Sequence, residues 1–62
     1  MTNIEKVLDF VARFPGRDDD EIAAALKISP RQQVNQICRR LESEGKVSRA
    51  RGPQGKIVNT RR

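Results

Sequence analysis

Residues 21–47 read EIAAALKISPRQQVNQICRRLESEGKV, and the spacing of their apolar side chains decides what the chain builds. Val34, Ile37, Cys38 and Leu41 stand at i, i+3, i+4 and i+7, which places one apolar stripe on one face of an α-helix. Ser29-Pro30 opens that helix, with Ser29 as N-cap, Pro30 in the first turn and Gln32 completing a capping box. Gly45 ends it, because a left-handed residue after the last turn suits glycine best. The predicted helix runs over about 30–44.

Working upstream, Asp18 followed by Glu21 is a second capping box, and Asp19 and Asp20 add negative charge at the positive end of a helix dipole. A short helix over about 19–27 follows, with Ile22, Ala25 and Leu26 expected inward and Ile28 plugging the turn. Thr2 and Glu5 form the third box, at the head of a helix over about 3–14. Ile4, Val7, Leu8, Val11 and Phe14 recur there at helical spacing with Phe10 beside them, and Pro15-Gly16 stops it. After Gly45 the period changes. KVSRAR and KIVNT are strand-like runs joined by Gly52-Pro53-Gln54-Gly55, a hairpin over about 46–60. Val47 and Ile57 are its expected inward anchors, although Val58 leaves the face of the second strand open by one residue. The fold class is α+β, mostly α: one domain over 1–62, a three-helix bundle with a C-terminal two-stranded β-hairpin.

Sixty-two residues make at most one domain, and a chain of this size buries only about 60% of its unfolded surface. No apolar run approaches the roughly 20 residues of a membrane span, and no signal peptide opens the chain. The single cysteine, Cys38, fits a reducing compartment, so a cytoplasmic protein is expected, nucleoid-associated if bacterial. Within its helix Cys38 reads as a small core residue. Histidine, Trp and Tyr are absent, which removes the commonest general base and metal ligand. No enzymatic activity, cofactor, small-molecule ligand or metal is expected. Asp18-Asp19-Asp20-Glu21 lacks the distant ligands a hard cation needs, and helix capping accounts for all four residues.

The formal charge is +5, unevenly divided: residues 1–30 carry −2 and residues 31–62 carry +7. That asymmetry points to a polyanionic partner. Stepping 100° per residue around the third helix sets Gln32, Gln36, Arg39 and Ser43 opposite the apolar stripe. Asn35 flanks them on one side, Gln33 and Arg40 on the other. None of the central four is acidic, and Glu42 and Glu44 come late in the helix. Gln32, Asn35 and Gln36 can pair bidentately with adenine and Arg39 with guanine. Arg31, Arg40 and the N-terminus of the helix suit phosphates. Arg49, Arg51 and Lys56 surround the hairpin turn, placed for phosphates or the minor groove. Surface Gln, Asn or Arg taken singly is often just solvated; the combination with the charge asymmetry carries the reading.

This order of elements resembles the winged helix-turn-helix DNA-binding domains over nearly the whole chain. The specific part is residues 21–47, with an acidic start, inner Ala and Leu, a turn, a Ser cap, an apolar quartet and Leu-x-x-x-Gly. The resemblance implies that helix three enters the DNA major groove while the hairpin wing grips the flanking backbone. Lys27 stands where many bacterial members carry Gly; a left-handed Lys27 would cost about 1–2 kcal/mol. The Ser29-to-Val34 spacing is one residue longer than in bacterial regulators of the leucine-responsive or multiple-antibiotic-resistance types, and is similar to the Z-DNA-binding winged helices. Pro30, Arg31 and Asn35 match that pattern. Arg39 replaces its aromatic, however, and Pro53-Gln54-Gly55-Lys56 its Pro-Pro-x-Trp, so shared architecture rather than shared specificity is implied.

Sequence-preferring binding of double-stranded DNA, in a transcription-regulator-type or DNA-associated module, is therefore the leading expectation. The alternative is a protein-interaction winged helix within a larger assembly, against which the basic face argues. RNA binding ranks third, because stacking aromatics are missing from the polar faces. One domain of this size presents a single half-site, so a homodimer or a place in a longer chain is expected.

Overall fold

The computed structural model describes residues 1–62 as three helices and three short strands: α1 (Asn3–Arg13), β1 (Arg17–Asp18), α2 (Asp19–Leu26), α3 (Gln32–Ser43), β2 (Val47–Arg51) and β3 (Ile57–Arg61). Two of the three expected capping boxes close. The Glu5 amide donates to Thr2 Oγ1 at 3.2 Å while Glu5 Oε1 accepts from the Thr2 amide at 2.8 Å. Asp18 and Glu21 repeat the exchange at 2.8 and 3.1 Å. The third box does not form. Ser29 lies two residues ahead of the capping position, which Arg31 occupies. The carbonyls of Pro30 and Arg31 instead accept from the amides of Gln33 and Val34, both at 3.0 Å, in a tight turn. The helix proper opens at Gln32 behind Arg31, with no side-chain cap, two residues later than the sequence suggests.

Nine side chains make the core: Val7 and Val11 from α1, Ile22 and Ala23 from α2, Ile28 from the turn, Val34, Cys38 and Leu41 from α3, and Val47 from β2. Each large member stabilises the fold by about 1.5–3 kcal/mol relative to solvent exposure. Three expected inward positions are corrected. Ala23 rather than Ala25 faces the core, because three consecutive alanines give no contrast from which to read a face. Phe14 falls one residue past the end of α1 and is 47% exposed, its ring tilted 38° against Phe10 with centroids 4.9 Å apart. Ile57 sits at the tip-proximal end of β3 and is 40% exposed. Two residues along the same face, Asn59 is fully buried.

Lys27 closes α2 in the left-handed conformation, φ 56° and ψ 43°. That lets the chain double back so that the Ile28 amide reaches the Ala23 carbonyl at 3.0 Å and Ile28 enters the core. The residue there has a Cβ, so the turn carries the cost of about 1–2 kcal/mol. At the other end of α3, Gly45 is left-handed as expected, with φ 75°.

The sheet has the order β1-β3-β2, antiparallel throughout. Its β1 strand is two residues long, too short to be legible in the sequence; it pairs Arg17 with Asn59 and Asp18 with Val58. The β2–β3 register sets Arg49 opposite Asn59 and Ala50 opposite Val58. At the hairpin turn the Gly52 amide donates to the Lys56 carbonyl at 2.7 Å. A Cβ on Gly52 would come within 2.9 Å of Val58 Cγ1, so glycine is what lets the half-buried Val58 lie over the turn. No helix is long and apolar enough to cross a membrane. This is the winged-helix architecture, α+β and mostly helical.

Candidate nucleic-acid interface

Burying Val34, Cys38 and Leu41 completely fixes the rotation of α3 about its own axis. The opposite side, Gln32, Gln33, Gln36, Arg39, Arg40 and Ser43, is then forced into solvent. Gln32, Gln36 and Arg39 make no side-chain hydrogen bond within the chain, and neither Arg39 nor Arg51 forms an ion pair. Arg40 Nε donates to Glu44 Oε2 at 3.2 Å one turn on, and the Ser43 hydroxyl donates to the Arg40 carbonyl at 2.7 Å. Arg40 holds the Glu44 carboxyl below its ordinary value by that hydrogen bond, with the nearby Lys46 charge adding to it.

Two of the residues expected at DNA point elsewhere. Asp19, the first residue of α2, is buried, and its carboxylate gathers donors from three elements. Asn35 Nδ2 donates to Oδ2 at 2.8 Å, Arg49 Nη1 to Oδ1 at 2.9 Å, Arg49 Nη2 to Oδ2 at 3.3 Å, and Asn59 Nδ2 to Oδ1 at 2.9 Å. Arg49 Nη1 also donates to Asn59 Oδ1 at 2.9 Å, and Asn59 Nδ2 to the Arg17 carbonyl at 3.1 Å. The Arg49 side chain is only 9% exposed. No buried side-chain polar atom is left without a partner. Burial pushes the Asp19 carboxyl up, but the hydrogen bonds from Arg49, Asn35 and Asn59 and the Arg49 charge outweigh it, holding the group below the ordinary aspartate value. The same pairing keeps Arg49 charged against its own desolvation.

The sequence held a signal for this. Val47 is the inward anchor of β2, and strand alternation puts Arg49, two residues on, on the same face. Asn59 lies directly across from it on β3. Cys38 lies beside the junction; burial and then the Asp19 charge raise its thiol to about 12, so it stays protonated and inert.

The acids beside Asp19 gather two further cations. Asp20 Oδ1 accepts from Arg31 Nε, just ahead of α3, while Lys56 Nζ from the wing turn stands 3.7 Å from Asp20 Oδ2 and 3.9 Å from Asp18 Oδ2. The start of α3 and the tip of the wing therefore meet across the first turn of α2. Of the nine expected site residues, Gln32, Gln36, Arg39 and Arg51 stand free on the surface and Arg40 leans on Glu44. Arg31 and Lys56 converge on Asp20, and Asn35 and Arg49 are turned into the Asp19 junction. In sequence, Asp19 and Asp20 read as negative charge at the head of α2, there to favour the helix dipole and repel DNA, and nothing singles out Asn59.

No family model matches the chain, and no curated protein sequence does. Among solved structures it is similar to a MarR family protein of Mycobacterium tuberculosis, crystallised in complex with p-aminosalicylic acid. The two share 27% identity over all of this chain, with a TM-score of 0.72. This chain spans about half of that protein's length, 48%.

Proposed function

We propose that this chain is a duplex-DNA-binding module of the transcription-regulator type, with α3 in the major groove and the wing on the flanking backbone or minor groove. One observation carries the reading. The outer face of α3 offers unpartnered amide and guanidinium groups, with no carboxylate among its central residues, and the cationic wing turn adjoins its start. The winged-helix likeness to a MarR family protein supports the same assignment. Gln32, Gln36 and Arg39 are the base-reading residues, each good bidentate contact contributing about 1–3 kcal/mol of discrimination. Arg31, Arg40, Arg51 and Lys56 hold phosphates. Asn35 and Arg49 act from inside, fixing the recognition helix and the wing to one carboxylate.

Fluorescence anisotropy with a labelled duplex at a series of salt concentrations tests this. Three neutralised phosphates if Arg31 and Lys56 share one, or four if they do not, give a log–log salt slope of about −2.7 to −3.6. Reversing charge at Arg39 and Arg51 together abolishes binding while leaving the fold intact. A weak response that does not change with salt, even at low ionic strength, rejects the assignment.

A further inference from the structure

Two cations from distant parts of the chain converge on Asp20. Arg31 comes from the loop before α3 and Lys56 from the wing turn, 25 positions later, yet they take the two oxygens of one carboxylate. All three side chains are about half exposed: 57% for Arg31, 59% for Lys56 and 47% for Asp20. The arrangement therefore faces solvent and is no part of the packed core. Asp20 is not needed as a helix cap either, because Asp18 and Glu21 already close that box. Nor is it part of the buried junction, whose donors all go to Asp19.

We infer that Arg31 and Lys56 form a binding subsite for a single backbone phosphodiester, and that Asp20 occupies it in the free protein as an internal stand-in for the phosphate. This rests on the DNA-binding reading above and adds to it a specific site and an intrinsic competitor. A carboxylate and a phosphodiester both present anionic oxygens to the same guanidinium and ammonium donors. The two elements joined at Asp20 are the start of the recognition helix and the wing turn, so a phosphate in the same place would be clamped between them. Each exposed pair to Asp20 is weak, screened by water and salt, so the competitor can be displaced. Once displaced it leaves a bare carboxylate beside DNA. The wild-type affinity is therefore set below what the cations alone would provide.

Asp20→Asn removes the competitor and keeps the side-chain shape. It should tighten binding of a random-sequence duplex about threefold to tenfold at low salt, and the gain should shrink as salt rises. Removing any negative charge near DNA would also tighten binding, so a double-mutant cycle decides. In an Arg31→Ala, Lys56→Ala background the Asp20→Asn gain shrinks to that of removing a charge alone, because no cation remains to release. Glu42→Gln, an acid outside the cluster, serves as the charge control and gives less than the Asp20 change. Equal gains from Asp20→Asn with and without the two cations overturn the subsite, as does binding by the wild type with no gain at all. Failure of both the wild type and the Asp20→Asn variant to bind duplex at low salt overturns the DNA-binding reading, and the subsite with it.

Discussion

The outer face of α3 and the Asp19 junction are built from the same kinds of side chain, amides and guanidinium groups, with opposite fates. On the face, Gln32, Gln36 and Arg39 stand in water with their donors uncommitted. At the junction, Asn35, Arg49 and Asn59 direct theirs to one buried carboxylate, with no polar atom left over. Residue type alone does not say whether a basic or amide side chain serves a ligand or the fold. What stands opposite it decides: solvent for Arg39, a desolvated aspartate for Arg49.

The largest expected effect lies at the junction. Truncating Arg49 to Ala leaves the Asp19 charge buried and unpaired, which costs about 3–5 kcal/mol. In a domain whose whole stability is on the order of 5 kcal/mol that nearly unfolds it. Urea denaturation followed by circular dichroism measures the loss; a cost under 1 kcal/mol would mean that Arg49 is a surface residue after all. The same junction gives an acid signature. Asp19 has a lowered folded-state pKa, so its contribution is fully present above the ordinary aspartate range near pH 4 and is lost as pH falls through the folded value. The stability gap between the wild type and Asp19→Asn should therefore be full above about pH 4 and narrow as pH falls below it toward the folded value. A constant gap would assign the effect to packing alone.

On the free face the signs reverse. Arg39→Ala should leave the urea midpoint within about 0.5 kcal/mol of the wild type, as for an ordinary surface substitution. It should weaken duplex binding by about 1–3 kcal/mol, most strongly where the target carries a guanine at the contacted position. Arg51→Ala is the phosphate counterpart: it should reduce the steepness of the salt slope by about 0.9. A low-dose test of Arg49→Ala, at a temperature where it remains folded, should leave the slope unchanged. Equal changes in slope from the two arginines would erase the distinction between face and junction.

The smallest effect belongs to neither region. Lys27→Gly relieves the left-handed turn and should stabilise the domain by about 1 kcal/mol, raising the melting temperature by about 4–8 °C without changing DNA affinity.

Where the chain repeats a period, the fold was legible. The α3 stripe of Val34, Cys38 and Leu41 is buried as its spacing requires, and the Thr2 and Asp18 boxes close. The turn at Lys27 is left-handed, the conformation whose cost the sequence reading weighed. Legibility failed where local signals are weak or the answer lies on another element. Ala23, Ala24 and Ala25 look alike in sequence. A two-residue strand has no period, and the place of the Ser29 cap is taken by a backbone turn over Pro30 and Arg31. A hairpin charge count and a helical wheel place Arg49 and Asn35 outward, because each describes one element alone. The aspartate that turns both inward lies 30 and 16 positions away along the chain. Strand alternation from Val47 was the one local clue to Arg49, and nothing local marks Asn35.

The most direct test of the central claim is an amide and side-chain NMR titration of the 62-residue chain with a short duplex. Shifts are expected at Gln32, Gln36, Arg39 and Arg51, with the Asn35 and Asn59 side-chain amides still protected and α1 unmoved. Shifts centred instead on Phe10 and Phe14, or none on α3 at saturating duplex, would contradict it.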